Sequence, residues 1–100
     1  KDSALVSTLK RDINTAINSI QSYYLLNQKI DKITDSINIT TTNWNIEDLK
    51  ISDKNGCLSL EINKTKTPIT IDLKVDTTKT SSICTKIRDS GLVTQSYEVY

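Results

Sequence analysis

The sequence predicts an α+β fold: a long amphipathic helix near the N-terminus, packed on an antiparallel sheet of three to four strands, with a short helix toward the C-terminus. Three observations predict it. Apolar residues in the first quarter of the chain recur at steps of three and four, at Leu5, Leu9, Ile13, Ala16 or Ile17, Ile20 and Tyr24. Between Leu49 and Val75 the period changes to two. Near the C-terminus, Ile83 and Ile87 stand at helical spacing between a Thr/Ser cluster and Gly91. The chain reads as one domain, 1–100, with a helix at 2–27, a connecting segment at 28–45, and the sheet and C-terminal region at 46–100.

The helix has a solvated face at Thr8, Arg11, Asn14, Asn18 and Gln21, while Val6 and Tyr23 widen the apolar stripe. At 1.5 Å per residue it is roughly 40 Å long. A compact domain of this size has a radius of gyration of about 13 Å. The helix is therefore expected to overhang, leaving Leu5, Val6 and Leu9 to pack against neighbours outside the domain. Leu26, Ile30, Ile33 and Ile37 continue a weaker period, read as a short helix or an irregular extension of the first. Leu49 and Ile51 then face one way, DKNG supplies a turn through Asn55-Gly56, and Leu58, Leu60 and Ile62 alternate with Ser59 and Glu61. After NKTKT and Pro68, Ile69, Ile71, Leu73 and Val75 alternate with Thr70, Asp72, Lys74 and Asp76, giving the clearest strand. One face is apolar and one polar, so the sheet is expected to lie with one side in water and the helix on the other. Val93, Tyr97 and Val99 suggest a terminal strand.

Composition narrows the function classes. Hydrophobic residues make up 36% of the chain and the net charge is +1, which suits a small globular domain with a thin core. Lysines and aspartates are intermixed and only Arg11 and Arg88 are arginines, so no basic stripe exists and direct nucleic-acid binding is not expected. The longest apolar run, Tyr23 to Leu26, is far below the roughly 20 residues that span a bilayer. The chain has no methionine, so the expectation is that Lys1 is not the translation start and that a segment upstream has been removed.

Chemistry-bearing motifs are few. The chain holds no histidine and only two cysteines, Cys57 and Cys84. This matches no zinc site and allows no Cys/His nucleophile. The cysteines are either a disulfide or two buried thiols, and an even, minimal count in a small domain favours the disulfide, implying folding outside a reducing cytosol. Closing that loop contributes on the order of 3–4 kcal/mol in the chain-entropy model. Asp53, Asn55 and Gly56 echo the centre of a calcium loop, but Ile51 occupies its first ligand position and Glu61 falls one residue short of its last, so a hairpin turn is preferred. Asp31 and Asp35, flanked by Lys29 and Lys32, read as a solvated charged face. Asn38-Ile39-Thr40 and Asn63-Lys64-Thr65 fit the glycosylation pattern, as chance provides in a chain this rich in Asn and Thr. Trp44 is expected to close the edge of the core. With no phosphate loop, nucleophile elbow or metal set, no catalytic residues, cofactor or metal is expected, and an enzyme is not.

The stretch DSALVSTLKRDINTAINSIQSYY, followed by a connecting segment, a one-faced antiparallel sheet and a late cysteine pair, resembles the soluble domain of bacterial type IV pilins and type II secretion pseudopilins. The resemblance covers the first 26 residues by sequence and the rest by layout. The motif that defines that family, a methylated N-terminus ahead of an apolar helix, has no counterpart here. The resemblance implies a structural subunit of a pilus, secretion or DNA-uptake filament, located in the periplasm or at the cell surface. Its partners would be other pilin-like subunits, with the inner membrane engaged through the missing N-terminal segment. In that reading Leu5, Val6 and Leu9 pack between subunits, and Leu9→Asp leaves the domain folded while blocking assembly. The alternative is a free-standing periplasmic or surface binding module.

Overall fold

The structure, a computed structural model, describes residues 1–99. Helix α1 runs over Asp2–Asn27, followed by a single 3-10 turn at Ile33–Asp35. Strands β1 (Trp44–Ile46), β2 (Lys50–Asp53), β3 (Leu58–Asn63) and β4 (Thr70–Val75) come next, then helix α2 (Ser82–Asp89) and strand β5 (Gln95–Glu98). The strands form one sheet in the order β1-β2-β3-β4-β5, each antiparallel to its neighbour.

The period-2 pattern becomes the two faces of this sheet. Ile51, Leu58, Leu60, Ile62, Ile71, Leu73 and Val75 are buried on one face, against Val6, Leu9, Ile13, Ala16, Ile17 and Ile20 of α1. Lys50, Ser52, Ser59, Glu61, Asp72 and Lys74 alternate with them and point away from α1. Gln28, at φ 55, turns left-handed and ends α1, its amide donating to the Tyr24 carbonyl at 2.8 Å. Ser81 caps α2, its hydroxyl accepting from the Cys84 amide, and Gly91, at φ 95, takes the chain out of it.

Three expectations need correction. The sheet has five strands rather than three to four. The additional strand, β1, lies mostly within the segment read as a connection, because a three-residue strand is too short to display a period. Trp44 anchors it: the indole is buried, and its Nε1 donates to Asp12 Oδ2 on α1 at 2.9 Å. Leu26, taken as part of a continuing apolar period, is 85% exposed, because the left-handed turn at Gln28 redirects the chain before that period resumes at Ile30 and Ile33.

The third correction concerns the N-terminal turns of α1. The molecule's longest dimension is 39 Å, about the length of a 26-residue helix. The helix spans the domain instead of overhanging it, because α2 docks beside its N-terminal half. Ser82 Oγ donates to Asp2 Oδ2 at 2.7 Å and Lys10 Nζ to the Ser90 carbonyl at 2.9 Å, so the two helices run side by side in the same direction. Val6 and Leu9 are consequently core residues and Leu5 is half-buried. The reading of these three as a surface for neighbouring subunits therefore does not hold for Val6 and Leu9, and Leu9→Asp would put a charge in the core. Leu9→Ala is expected to cost about 2–5 kcal/mol and Leu9→Asp to prevent folding; urea denaturation followed by circular dichroism measures the first, and a dispersed amide spectrum for Leu9→Asp would contradict this packing.

Candidate functional site

The predicted cysteine pair is a disulfide: Cys57 and Cys84 are bonded at 2.05 Å, and both are buried. The bond ties the residue before β3 to the first turn of α2, and therefore to the N-terminal half of α1. Arg88 reinforces the same end, Nη1 donating to the Asp76 carbonyl at 3.0 Å.

The hairpin between β2 and β3 is built around Asp53, which is only 2% exposed. Oδ1 accepts from the amides of Cys57 and Leu58, each at 2.7 Å, and Oδ2 from the Asn55 amide at 3.1 Å. Gly56, at φ 69, completes the turn. The residues that echo a calcium loop thus serve the turn itself, with the Asp53 carboxylate directed at backbone donors.

Other candidates disperse in the same way. Asp35 Oδ2 accepts from the Asp31 and Lys32 amides, whereas the Asp31 carboxylate pairs with Lys29 at 3.5 Å, so Asp31 and Asp35 do not form a carboxylate pair. Asn63 Oδ1 accepts from the amide and hydroxyl of Thr65, and Asn63 Nδ2 donates to Asp72 Oδ2 at 3.2 Å. Asn38 is exposed, in a stretch without regular structure. Among the described residues no group of three or more His, Cys, Asp or Glu side chains is placed to hold a metal. No helix there is long and apolar enough to cross a membrane.

Two open surfaces bear on function. One is the outer face of α1, where Ser3, Ala4, Ser7, Asn14, Asn18 and Ser22 are exposed and lead to Leu25 and Leu26, 57% and 85% exposed. The other is a groove of about 450 Å³ at the disulfide end of the sheet, on the face turned away from α1. Its walls are the β2–β3 hairpin and the segment that follows β4, and its floor carries Ser52, Ser59 and Lys74. These three come together through register alone: Ser52 sits opposite Ser59, and Ser59 opposite Lys74. No sequence motif marks them.

Three carboxylates, Asp2, Asp72 and Asp76, are held below the ordinary carboxylate pKa. Hydrogen bonds from the Lys79 and Thr78 amides and the Thr78 hydroxyl lower the pKa of Asp76. For Asp72, burial pushes the pKa up, and donors from Ser96, Thr70 and Asn63 outweigh it to leave a net lowering. The Ser82 hydroxyl lowers that of Asp2.

Comparison with protein-family models, curated proteins and solved structures finds no match to this chain.

Two outcomes are expected. Replacing both cysteines by serine, or reducing the bond, should lower stability by on the order of 3–4 kcal/mol, with amide protection lost first in α2; unchanged exchange in α2 would sink that account. The second concerns acid. Asp2, Asp72 and Asp76 titrate below the ordinary 3.8 when folded and return to it on unfolding, so the unfolded chain binds more protons in that range. Their stabilisation is complete above that value and is lost as pH falls below it. Denaturation midpoints between about pH 6 and about pH 2 should fall on the acid limb, and Asp76→Asn, which keeps an acceptor oxygen but cannot titrate, should flatten it.

Proposed function

We propose that the protein is a structural subunit of a type IV pilus-like or type II secretion-like filament, working outside the cytosol. The observation that carries the reading is the one-sidedness of α1. One face of a 26-residue helix covers the sheet, while the other stays open from Ser3 to Leu26. Small side chains at Ser3, Ala4, Ser7 and Ser22 allow another helix to approach closely, since interaxial distance follows the side chains at the contact. A repeated contact of this head-to-tail kind builds a fibre rather than a closed ring. The subunit-facing surface is then the exposed stripe ending on Leu25 and Leu26, in place of Val6 and Leu9. The disulfide supports an oxidising compartment, the periplasm or the cell surface.

A second reading, a free-standing binding module in the same compartment, is favoured by the groove at the disulfide end of the sheet. The two separate on assembly. In cells producing the full-length gene product, electron microscopy and shear fractionation should place the wild type in filaments. The double change Leu25→Asp and Leu26→Asp should abolish them while leaving the unfolding midpoint of the purified domain within about 0.5 kcal/mol of wild type, as for other exposed positions. A wild-type protein recovered only as a soluble monomer would overturn the filament reading.

A further inference from the structure

The groove at the disulfide end is lined by several hydrogen-bond donors, of which the Thr78 and Thr94 hydroxyls are engaged with Asp76 and Val75. Ser52, Ser59 and Lys74 form a cross-strand row, and Thr77 joins them from the wall. Lys79 reaches over the hairpin so closely that a Cβ at Gly56 would run into its Nζ. Among the described residues the ion pairs within 4 Å are Arg11–Asp12 and Lys29–Asp31, so neither Lys74 nor Lys79 is in direct contact with a carboxylate there, although the Lys79 charge contributes to the lowered pKa of Asp76.

Of the nearby carboxylates one lines the groove and two stand apart from it. Asp76, the carboxylate in the groove wall, accepts from the Thr78 and Lys79 amides and the Thr78 hydroxyl through a single oxygen, Oδ1. Glu61 lies further along the sheet, opposite Lys50 on one side and Asp72 on the other. Asp53 is buried within the hairpin. The groove therefore presents the Lys74 ammonium and several hydroxyls, with the Lys79 ammonium beside Gly56 at its edge, around a concavity within the roughly 300–1,000 Å³ range of ligand sites. Charge-assisted hydrogen bonds to an oxyanion are the strong interactions such a set can make.

We propose that this groove binds an oxyanion, a phosphate or a carboxylate, held by the Lys74 and Lys79 ammonium groups with Ser52, Ser59 and Thr77 donating from the floor and wall. The site is independent of the filament reading, since it lies on the face of the sheet turned away from α1.

The test is an amide-resolved NMR titration of the whole domain at low ionic strength with inorganic phosphate, and separately with glucuronate as a carboxylate probe. Saturable shifts confined to the hairpin around Gly56 and to Lys74 through Lys79, with either probe, support the site, and the probe that saturates identifies the oxyanion. The double change Lys74→Ala and Lys79→Ala, both at exposed positions, should weaken binding about tenfold or more. Lys29→Ala with Lys66→Ala, away from the groove, should leave it unchanged. The chain has eleven lysines, which supply the internal control: shifts spread over all of them, or no saturable shift with either probe, would overturn the proposal.

Discussion

Everything in this domain depends on the cover that α1 gives to one face of the sheet. A 100-residue chain buries a smaller share of its surface than larger domains do, and a single sheet has two faces to account for. Here one face is made of small and charged polar residues and left in water, and the other is sealed by a single helix as long as the molecule. Leu9, Ile13 and Ile20 are completely buried at that contact. Fully burying one such side chain contributes about 1.5–3 kcal/mol, and folding stabilities of small domains total only about 5–15 kcal/mol. The disulfide and the docking of α2 secure the end of the helix where the sheet alone would give it least support.

On the polar face, hydrogen bonds and a neighbouring lysine offset a like-charge juxtaposition across strands. Asp72 stands opposite Glu61, an arrangement that like charges disfavour. Lys50 flanks Glu61 on the other side, and Asp72 receives hydrogen bonds from Thr70, Ser96 and Asn63. Its lowered pKa records the same balance. Next to this satisfied row, the Ser52–Ser59–Lys74 row has no such partners, and the contrast between adjacent rows distinguishes a surface that is merely solvated from one that offers hydrogen bonds.

The sequence disclosed what is local. The bounds of α1 follow from its period, the stop of α2 from Gly91, and the long strands from alternation, because each signal sits in neighbouring residues. The disulfide was legible because two cysteines admit only one intramolecular pairing. What the sequence concealed is tertiary. The hydrogen bonds joining α2 to α1, from Ser82 to Asp2 and from Lys10 to Ser90, span 80 residues, so nothing near Leu9 announces that another helix will cover it. The groove was hidden for the same reason: Ser52, Ser59 and Lys74 are ordinary polar positions of alternating strands until register aligns them.

Covering the sheet with one helix also separates the two open surfaces. The outer side of α1 faces away from the sheet on one side of the molecule, and the groove opens on the other, with the core between them. A partner helix lying along Ser3 to Leu26 would not reach Lys74, and a ligand beside Lys74 would not touch Leu26. Coupling between them would have to pass through the disulfide end, where Cys57, close to the groove, is bonded to Cys84 on the helix that packs against α1. Because that link is covalent and buried, it favours one rigid arrangement over two alternatives, whereas coupling between sites requires an element with two states. Subunit packing and anion binding are therefore expected to act independently, so that a filament built through α1 would carry the groove outward on each subunit.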